Sequence, residues 1–171
     1  MSFTTVAALT GLYLFAGTMT YAGIRDLTTM TITNRLVLFL LAAYLVLAPV
    51  AGIAVETIVS SAVLALAVLL GAFVLFARGW IGGGDAKLAV VTILWLGPDL
   101  AMHYLVYTAM FGGLLTLAIL QFRRMPLPVF LQNEIWPARL HAAGSGVPYG
   151  VAMASAALLL IPETEWLRVF Q

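Results

Sequence analysis

Long runs of apolar, uncharged residues constrain this chain more than any other feature of its sequence. The hydrocarbon core of a bilayer is about 30 Å thick and needs roughly 20 such residues per helix. Only helices and closed barrels satisfy their backbone hydrogen bonds in lipid, and these runs lack the alternation of barrel strands. The sequence predicts an all-α, polytopic membrane helical bundle with about six transmembrane helices. The predicted spans lie near residues 3–22, 36–55, 57–77, 87–98, 100–121 and 147–162.

Composition supports lipid as the main solvent of this chain. Hydrophobic residues make up 63% of the sequence and charged residues 9%, whereas a soluble domain carries about 25% charged residues. We expect one domain over residues 1–171, since no internal repeat is present. No Lys or Arg precedes the first apolar run, so Phe3–Tyr21 is expected to be a retained span and not a cleaved signal peptide.

The fourth run is the shortest of the six. Leu88–Leu96 is uncharged, but Gly97 and Pro98 stop it after few residues. A half-span or a buried re-entrant helix is therefore an alternative to a full crossing. We prefer six crossings because an odd number would no longer place the basic connections on one side of the membrane and the acidic ones on the other.

The charged connections alternate between two sides of the predicted bundle. Seven of the eight basic residues share one side, namely Arg25, Arg35, Arg78, Lys87, Arg123, Arg124 and Arg139. The other side collects Glu56, Asp99, Glu163, Glu165 and Arg168. By the positive-inside rule the basic side is cytoplasmic, so both termini are predicted to lie outside, on the periplasmic face.

Several classes of function are disfavoured by what the sequence lacks. With no cysteine there are no disulfides, thiolate nucleophiles or Cys-based metal sites, and two histidines make a His-rich metal site improbable. No basic tract with interleaved aromatics is present, so we expect no nucleic-acid partner. We predict no cofactor and no metal.

The connection over residues 122–146 is the longest in the chain. It combines Arg123 and Arg124 with three prolines and with Ile135 and Trp136. This composition favours a segment lying in the headgroup region, where Trp is enriched. A flexible lid or a substrate-docking loop is the alternative.

Two aspartates near the ends of predicted spans are the main candidates for chemistry. Asp26 lies in the first predicted cytoplasmic loop and Asp85 in the second. Either alone fits a solvated flanking charge or a helix cap, and Asp85 suits the N-cap of the fourth span. Acidic residues at the membrane boundary that face the protein interior are, however, often functional.

Three glycines, Gly82, Gly83 and Gly84, precede Asp85, and no simple cap requires them. Glycine has no side chain, so this turn allows another helix end, or an extended peptide, to approach the aspartate. A flexible hinge is the alternative. We expect Lys87 to pair with a carboxylate or lipid phosphate, or only to snorkel to the interface. Asn34 is expected to bond within the first loop or to cap the second span.

Helix packing can bring the two aspartates together on one membrane face. Carboxyl groups about 3 Å apart cannot both ionise and therefore share a proton. One then acts as general base on a water molecule while the other protonates the scissile carbonyl. We predict Asp26 and Asp85 as this catalytic pair, without assigning the proton to either.

The motifs together resemble the type IV prepilin peptidase family, the A24 class of bacterial and archaeal aspartic peptidases. The matching residues are Asp26, Ile32-Thr33-Asn34, Gly82-Gly83-Gly84-Asp85-Ala86-Lys87-Leu88 and Val147-Pro148-Tyr149-Gly150. The resemblance implies a multi-pass protein of the cytoplasmic membrane that cleaves the leader from prepilin-like precursors on the cytoplasmic face. Asp26 and Asp85 match the family's catalytic aspartates.

The chain departs from the family's pattern in two places. Thr33 stands where the family often has proline, and the cysteine-bearing segment of the larger, N-methylating members is absent. The chain resembles the short branch associated with Flp/Tad-type pili, for which methyltransferase activity is not implied. Expected partners are prepilin-like precursors, the lipid bilayer and pilus or secretion assembly proteins.

Two other functions remain open at this stage. A small proton-coupled transporter would use the aspartates as proton sites, although such sites usually lie near the bilayer midplane. A non-catalytic pilus or secretion assembly scaffold would not need either carboxylate.

Overall fold

The computed structural model describes residues 2–128, 131, 134–142 and 144–168. Within these ranges every regular element is a helix. The helices are α1 (Phe3–Thr29), α2 (Asn34–Val50), α3 (Val55–Ala77), α4 (Gly83–Leu96), α5 (Pro98–Arg124), α6 (Ile135–His141), α7 (Tyr149–Leu160) and α8 (Glu165–Arg168), with a 3₁₀ turn at Ile161–Glu163. The all-α prediction is confirmed.

Four helical segments are long and apolar enough to cross a membrane: Phe3–Thr29, Val55–Ala77, Pro98–Arg124 and Tyr149–Arg168. Helix α2 is apolar but has 17 residues. Helix α4 has 14 residues and spans about 21 Å, less than the ~30 Å of a hydrocarbon core. The protein is thus a multi-pass membrane protein, while six crossings and the orientation of the termini stay predictions.

Helix α4 lies in the middle of the bundle. It packs against α2, α3, α5 and α7, while α7 also packs against α1 and α5. Its C-terminal half, from Val91 to Leu96, is buried. A short helix surrounded by other helices does not need the length of a lipid-facing span, because its neighbours supply its apolar environment.

An aromatic cluster fixes the far end of α4. The Trp95 ring stacks on Phe15 at 5.1 Å and on Trp166 at 4.7 Å between centroids. The two buried indole N–H groups donate to the carbonyls of Leu40 and Trp95, at 3.0 and 3.1 Å. Tyr44 packs edge-on against both indoles. Because these rings are packed together and both indole N–H groups are hydrogen-bonded, the cluster opposes movement of α4 along its axis. It thereby helps to fix Asp85, which lies about 15 Å away at the other end of the helix.

The two aspartates lie in helices, which corrects their predicted placement in loops. Helix α1 continues past Asp26 to Thr29, because no proline or other helix breaker intervenes. The Thr28 and Thr29 hydroxyls also donate to the carbonyls of Ile24 and Arg25, at 2.9 and 2.8 Å. Helix α1 ends at Met30, which adopts a left-handed conformation (φ 52°).

The other aspartate belongs to the first turn of α4, which begins at Gly83. The N-cap is Gly82, so the alternative of Asp85 as the N-cap is wrong. An acidic side chain in this first turn is favoured by the free N–H groups and the positive end of the helix dipole.

Candidate active site

Asp26 is buried and bonded to a distant part of the chain. Its side chain is 4% exposed, and its Oδ2 accepts a hydrogen bond of 2.6 Å from the Gly150 backbone N–H. Gly150 is the second residue of α7. The first N–H groups of a helix have no partner within the helix, so this one is available to the carboxylate. The N-terminal end of α7 thus faces Asp26 with a charge-assisted donor.

The contact at Asp26 requires glycine at position 150. A Cβ built on Gly150 would lie 2.8 Å from both Cβ and Oδ2 of Asp26. A second close approach supports it one turn earlier, where a Cβ on Gly23 would lie 3.1 Å from the Cβ of Ala154. Small residues on both helices therefore let the backbones of α1 and α7 come close enough for the hydrogen bond.

Asp85 and Asp26 line one cavity of about 490 Å³ at the same end of the bundle. The other lining residues are Met30, Thr31, Ile32, Gly82, Gly83, Gly84, Gly146 and Val147. Burial and, second, the negative charge of Asp26 together raise the pKa of Asp85 to about 6. The electrostatic effect of one carboxyl on the other means that the two sites are close enough to titrate together.

The three glycines before Asp85 each have a close neighbour where a side chain would begin. A Cβ on Gly82 would lie 2.9 Å from Oδ2 of Asp85, and one on Gly84 would lie 3.1 Å from the Cβ of Ile32. A Cβ on Gly83 would lie 3.1 Å from the ring of Phe76. None of the three has a positive φ, so their conformations are open to other residues. Other parts of the chain, Ile32 and Phe76, thus lie close to the backbone of this glycine segment.

Lys87 and Asn34 bond to each other. The Lys87 ammonium donates to Oδ1 of Asn34 at 2.9 Å, which joins α4 to the first residue of α2. Lys87 therefore pairs with an amide and not with a carboxylate, and Asn34 neither caps α2 nor bonds within the first loop. Both side chains lie outside the lining of the aspartate cavity. Their contact holds the beginnings of α2 and α4 side by side beside it.

Two arginines attach the connection between α5 and α7 to the bundle. The Arg123 guanidinium donates to the Leu140 carbonyl at 2.7 Å, to the carbonyl and Oγ of Ser145 at 2.9 and 2.5 Å, and to the Gly146 carbonyl at 3.0 Å. Arg139 donates to the Thr29 carbonyl at 3.0 Å, at the C-terminal end of α1. The bonded segment leads directly into Gly146, Val147 and Gly150. In its described part, the connection is docked beside the aspartates.

The site contains contacts that sequence reasoning did not predict. In the sequence Gly150 is only part of a family motif, whereas its bond to Asp26 joins residues 124 positions apart. The sequence around Arg123 predicts only a basic interfacial segment. Neither role leaves a signal in local periodicity or spacing. No three His, Cys, Asp or Glu side chains lie together as a metal site in the ranges that the structure describes.

Comparison with known protein families gives a match for this chain. The profile of the type IV leader peptidase family matches residues 13–117, a range that contains both aspartates and the three glycines. The chain belongs to the type IV leader peptidase family. No curated protein and no solved structure matches it. Membership of this leader peptidase family implies a protease, and the predicted A24 family is thereby confirmed.

The matched range ends before several residues that surround the aspartates. Gly146, Val147 and Gly150, as well as Arg139, follow residue 117. Their contribution is therefore known from the tertiary contacts alone. The family match runs from within α1 to most of α5, and α7 completes the surroundings of Asp26.

Proposed function

We propose that this protein is an aspartic endopeptidase that removes the leader from prepilin-like precursors at the cytoplasmic face of the membrane. The observation that carries the proposal is the cavity shared by Asp26 and Asp85, in a chain of the type IV leader peptidase family. The basic residues that flank this end, including Arg25 and Arg35, support the cytoplasmic orientation by the positive-inside rule.

The chemistry follows from two carboxyl groups that share one proton. The ionised carboxylate removes a proton from a water molecule, whose oxygen attacks the scissile carbonyl carbon. The protonated carboxyl donates its proton to the carbonyl oxygen, which gives a tetrahedral diol. Collapse of the diol breaks the C–N bond, and a proton passes to the departing amine. The reaction needs no covalent enzyme intermediate.

Two observations on the aspartates bear on this reaction. The Gly150 N–H donates to Oδ2 of Asp26 and so orients that carboxyl group at the cavity. Burial and, second, the negative charge of Asp26 raise the pKa of Asp85 to about 6, so the pair keeps a proton closer to neutral pH than a free carboxyl group would. The pair titrates as a unit, so the proton is assigned to neither residue.

The test is cleavage of a co-reconstituted prepilin-like precursor by Asp→Asn variants. Asp26→Asn and Asp85→Asn should each lower kcat by at least about 10²-fold, the contribution of a general acid or base. The double variant should lose little more than either single variant, since the two groups act together. Asp99→Asn is the matched control, because Asp99 lines a separate cavity with Glu163 and Glu165.

Cleavage at the normal rate by either variant would falsify the assignment of the pair. Pilus assembly supported by both variants would instead favour a scaffold. Proton-coupled flux in liposomes that persists in the absence of cleavage would favour a transporter.

A further inference from the structure

A second, larger cavity lies between α1 and α2. Its volume is about 910 Å³, and its lining includes Thr18, Tyr21, Arg25, Asn34, Arg35 and Phe39. Ile32 lines both cavities, so the two adjoin at the α1–α2 connection. The proposed peptidase chemistry uses none of the polar groups in this groove.

The charge of the groove has one sign. Arg25 and Arg35 line it, and no acidic residue does. The single ion pair within the described ranges joins Arg168 to Glu165 at the other end of the bundle. Both guanidinium groups in the groove are therefore without a carboxylate partner in the described part of the protein. Two cations facing one cavity favour an anionic ligand.

The Arg25 guanidinium makes a hydrogen bond to Tyr21, but not all of its N–H groups have a partner among the described residues. One of its terminal nitrogens donates to the Tyr21 hydroxyl at 3.0 Å, which fixes the guanidinium. Its Nε is buried and has no hydrogen-bond partner among the described residues. That nitrogen has no accessible surface, so it is the terminal nitrogens of Arg25 that are available to a ligand in the groove. The planar guanidinium matches the oxygens of a phosphate group well.

The beginning of α2 adds to the positive potential. Helix α2 starts at Asn34, and its N-cap, Thr33, makes no side-chain capping bond. Both residues line the groove. The free N–H groups of this first turn and the helix dipole favour negative charge at the same place as the two arginines.

The rest of the groove is mainly apolar and open at the surface of the bundle. Tyr21 and Phe39 are each 52% exposed. A Cβ added to Gly17 would meet no atom within 4 Å, so the groove is open along α1 below the arginines. A ligand that combines a phosphate with an apolar chain fits both parts.

We propose that the groove of Arg25 and Arg35 binds the phosphate group of an anionic phospholipid. The lipid phosphate lies between the two guanidinium groups, and an acyl chain follows α1 past Gly17 and Phe39. A lipid is favoured over a peptide because the groove is open along α1, a helix long and apolar enough to cross a membrane, and its walls below the arginines are mainly apolar.

The test is lipid retention by the full-length protein in detergent, measured by native mass spectrometry. The wild-type protein should retain phosphatidylglycerol in preference to phosphatidylcholine. Arg25→Gln and Arg35→Gln should each weaken phosphatidylglycerol binding about five-fold, and the double variant about thirty-fold, from the usual contribution of a basic residue at a membrane surface. Arg78→Gln, outside the groove, is the control and should bind as the wild type does.

A variant that leaves both arginines in place gives an independent measurement. Gly17→Phe should enter the open part of the groove without a clash and lower phosphatidylglycerol retention by blocking the acyl chain. If the double arginine variant does not fold, Gly17→Phe still tests whether a lipid occupies the groove.

Three outcomes would overturn the proposal. In the first, the double variant retains phosphatidylglycerol as well as the wild type, or Arg78→Gln weakens binding equally. In the second, inorganic phosphate competes at the same concentration as phosphatidylglycerol, which would make the ligand a soluble phosphate. In the third, the arginine variants raise KM for an acidic precursor peptide while lipid retention is unchanged, which would assign the groove to a peptide.

Discussion

The hydrogen bond between Gly150 and Asp26 makes a sharp prediction about a single methyl group. In Gly150→Ala the new Cβ would lie 2.8 Å from two atoms of Asp26, whereas ordinary contact begins at 3.4 Å. The atoms must therefore separate by about 0.6 Å (3.4 minus 2.8). The present N–H to Oδ2 distance of 2.6 Å would lengthen by a similar amount, beyond the range of a strong charge-assisted bond.

The expected result is a loss of rate with little change in substrate binding. A displacement of about 1 Å in a catalytic group lowers rates by roughly 10²-fold, so a shift of about 0.6 Å should lower kcat by roughly 15-fold. The Gly150 N–H is already bonded to Asp26, so KM should stay within about two-fold. Cleavage of a purified precursor in detergent, followed by gel mobility over a range of precursor concentrations, separates the two constants.

The matched control is Gly113→Ala in α5, where an added Cβ would meet no atom within 4 Å. Alanine is the better helix former, so this variant should keep full activity and an equal or higher unfolding temperature. The reasoning is refuted if Gly150→Ala keeps the wild-type kcat, or if the two variants lose activity equally.

Two further predictions concern pH and the docked connection. Folding raises the pKa of Asp85 from 3.8 to about 6. The contribution of Asp85 to the free energy of unfolding is therefore fully present below pH 3.8 and is lost as the pH rises through 6. At ~1.36 kcal/mol per unit the loss is at most about 3 kcal/mol. Thermal unfolding in detergent from pH 4 to 8 should show the decline, and Asp85→Asn should flatten it; an unchanged slope would contradict the assignment. Arg123→Gln should speed proteolysis of the α5–α7 connection and, because the connection is displaced, lower kcat about ten-fold. The control Arg124→Gln should do neither. Equal proteolysis of both variants would show that Arg123 does not hold the connection.

The sequence was informative where a property depends on neighbours along the chain. Apolar runs predicted the helices, because the lipid environment selects for them residue by residue. The three glycines before Asp85 predicted a close approach, since the absence of side chains is itself the structural property. The pairing of Asp26 with Asp85 was inferred from the membrane face that they share, and the structure brings both to one cavity.

Sequence reasoning was weaker at the ends of helices. The span near residues 3–22 was ended where polar residues begin, but α1 continues to Thr29. Hydropathy detects where lipid ends, whereas a helix continues into water until its backbone finds another partner or a breaker. In α1 the threonine hydroxyls bond back to the helix and Met30 supplies the left-handed end. Asp26 is therefore held on a helix, which positions it more rigidly than a loop would.

The sequence by itself determined that this chain is a multi-helix membrane protein with two aspartates and a glycine turn at a basic end. Only the tertiary structure decided which groups surround those aspartates. The Gly150 N–H reaches Asp26, Lys87 turns to Asn34, and Arg123 draws the α5–α7 connection toward the cavity. Each of these contacts joins residues far apart in the chain, and it exists because packed helices bring particular faces together. Local sequence records the propensity of each helix, but not the side on which it meets its neighbours.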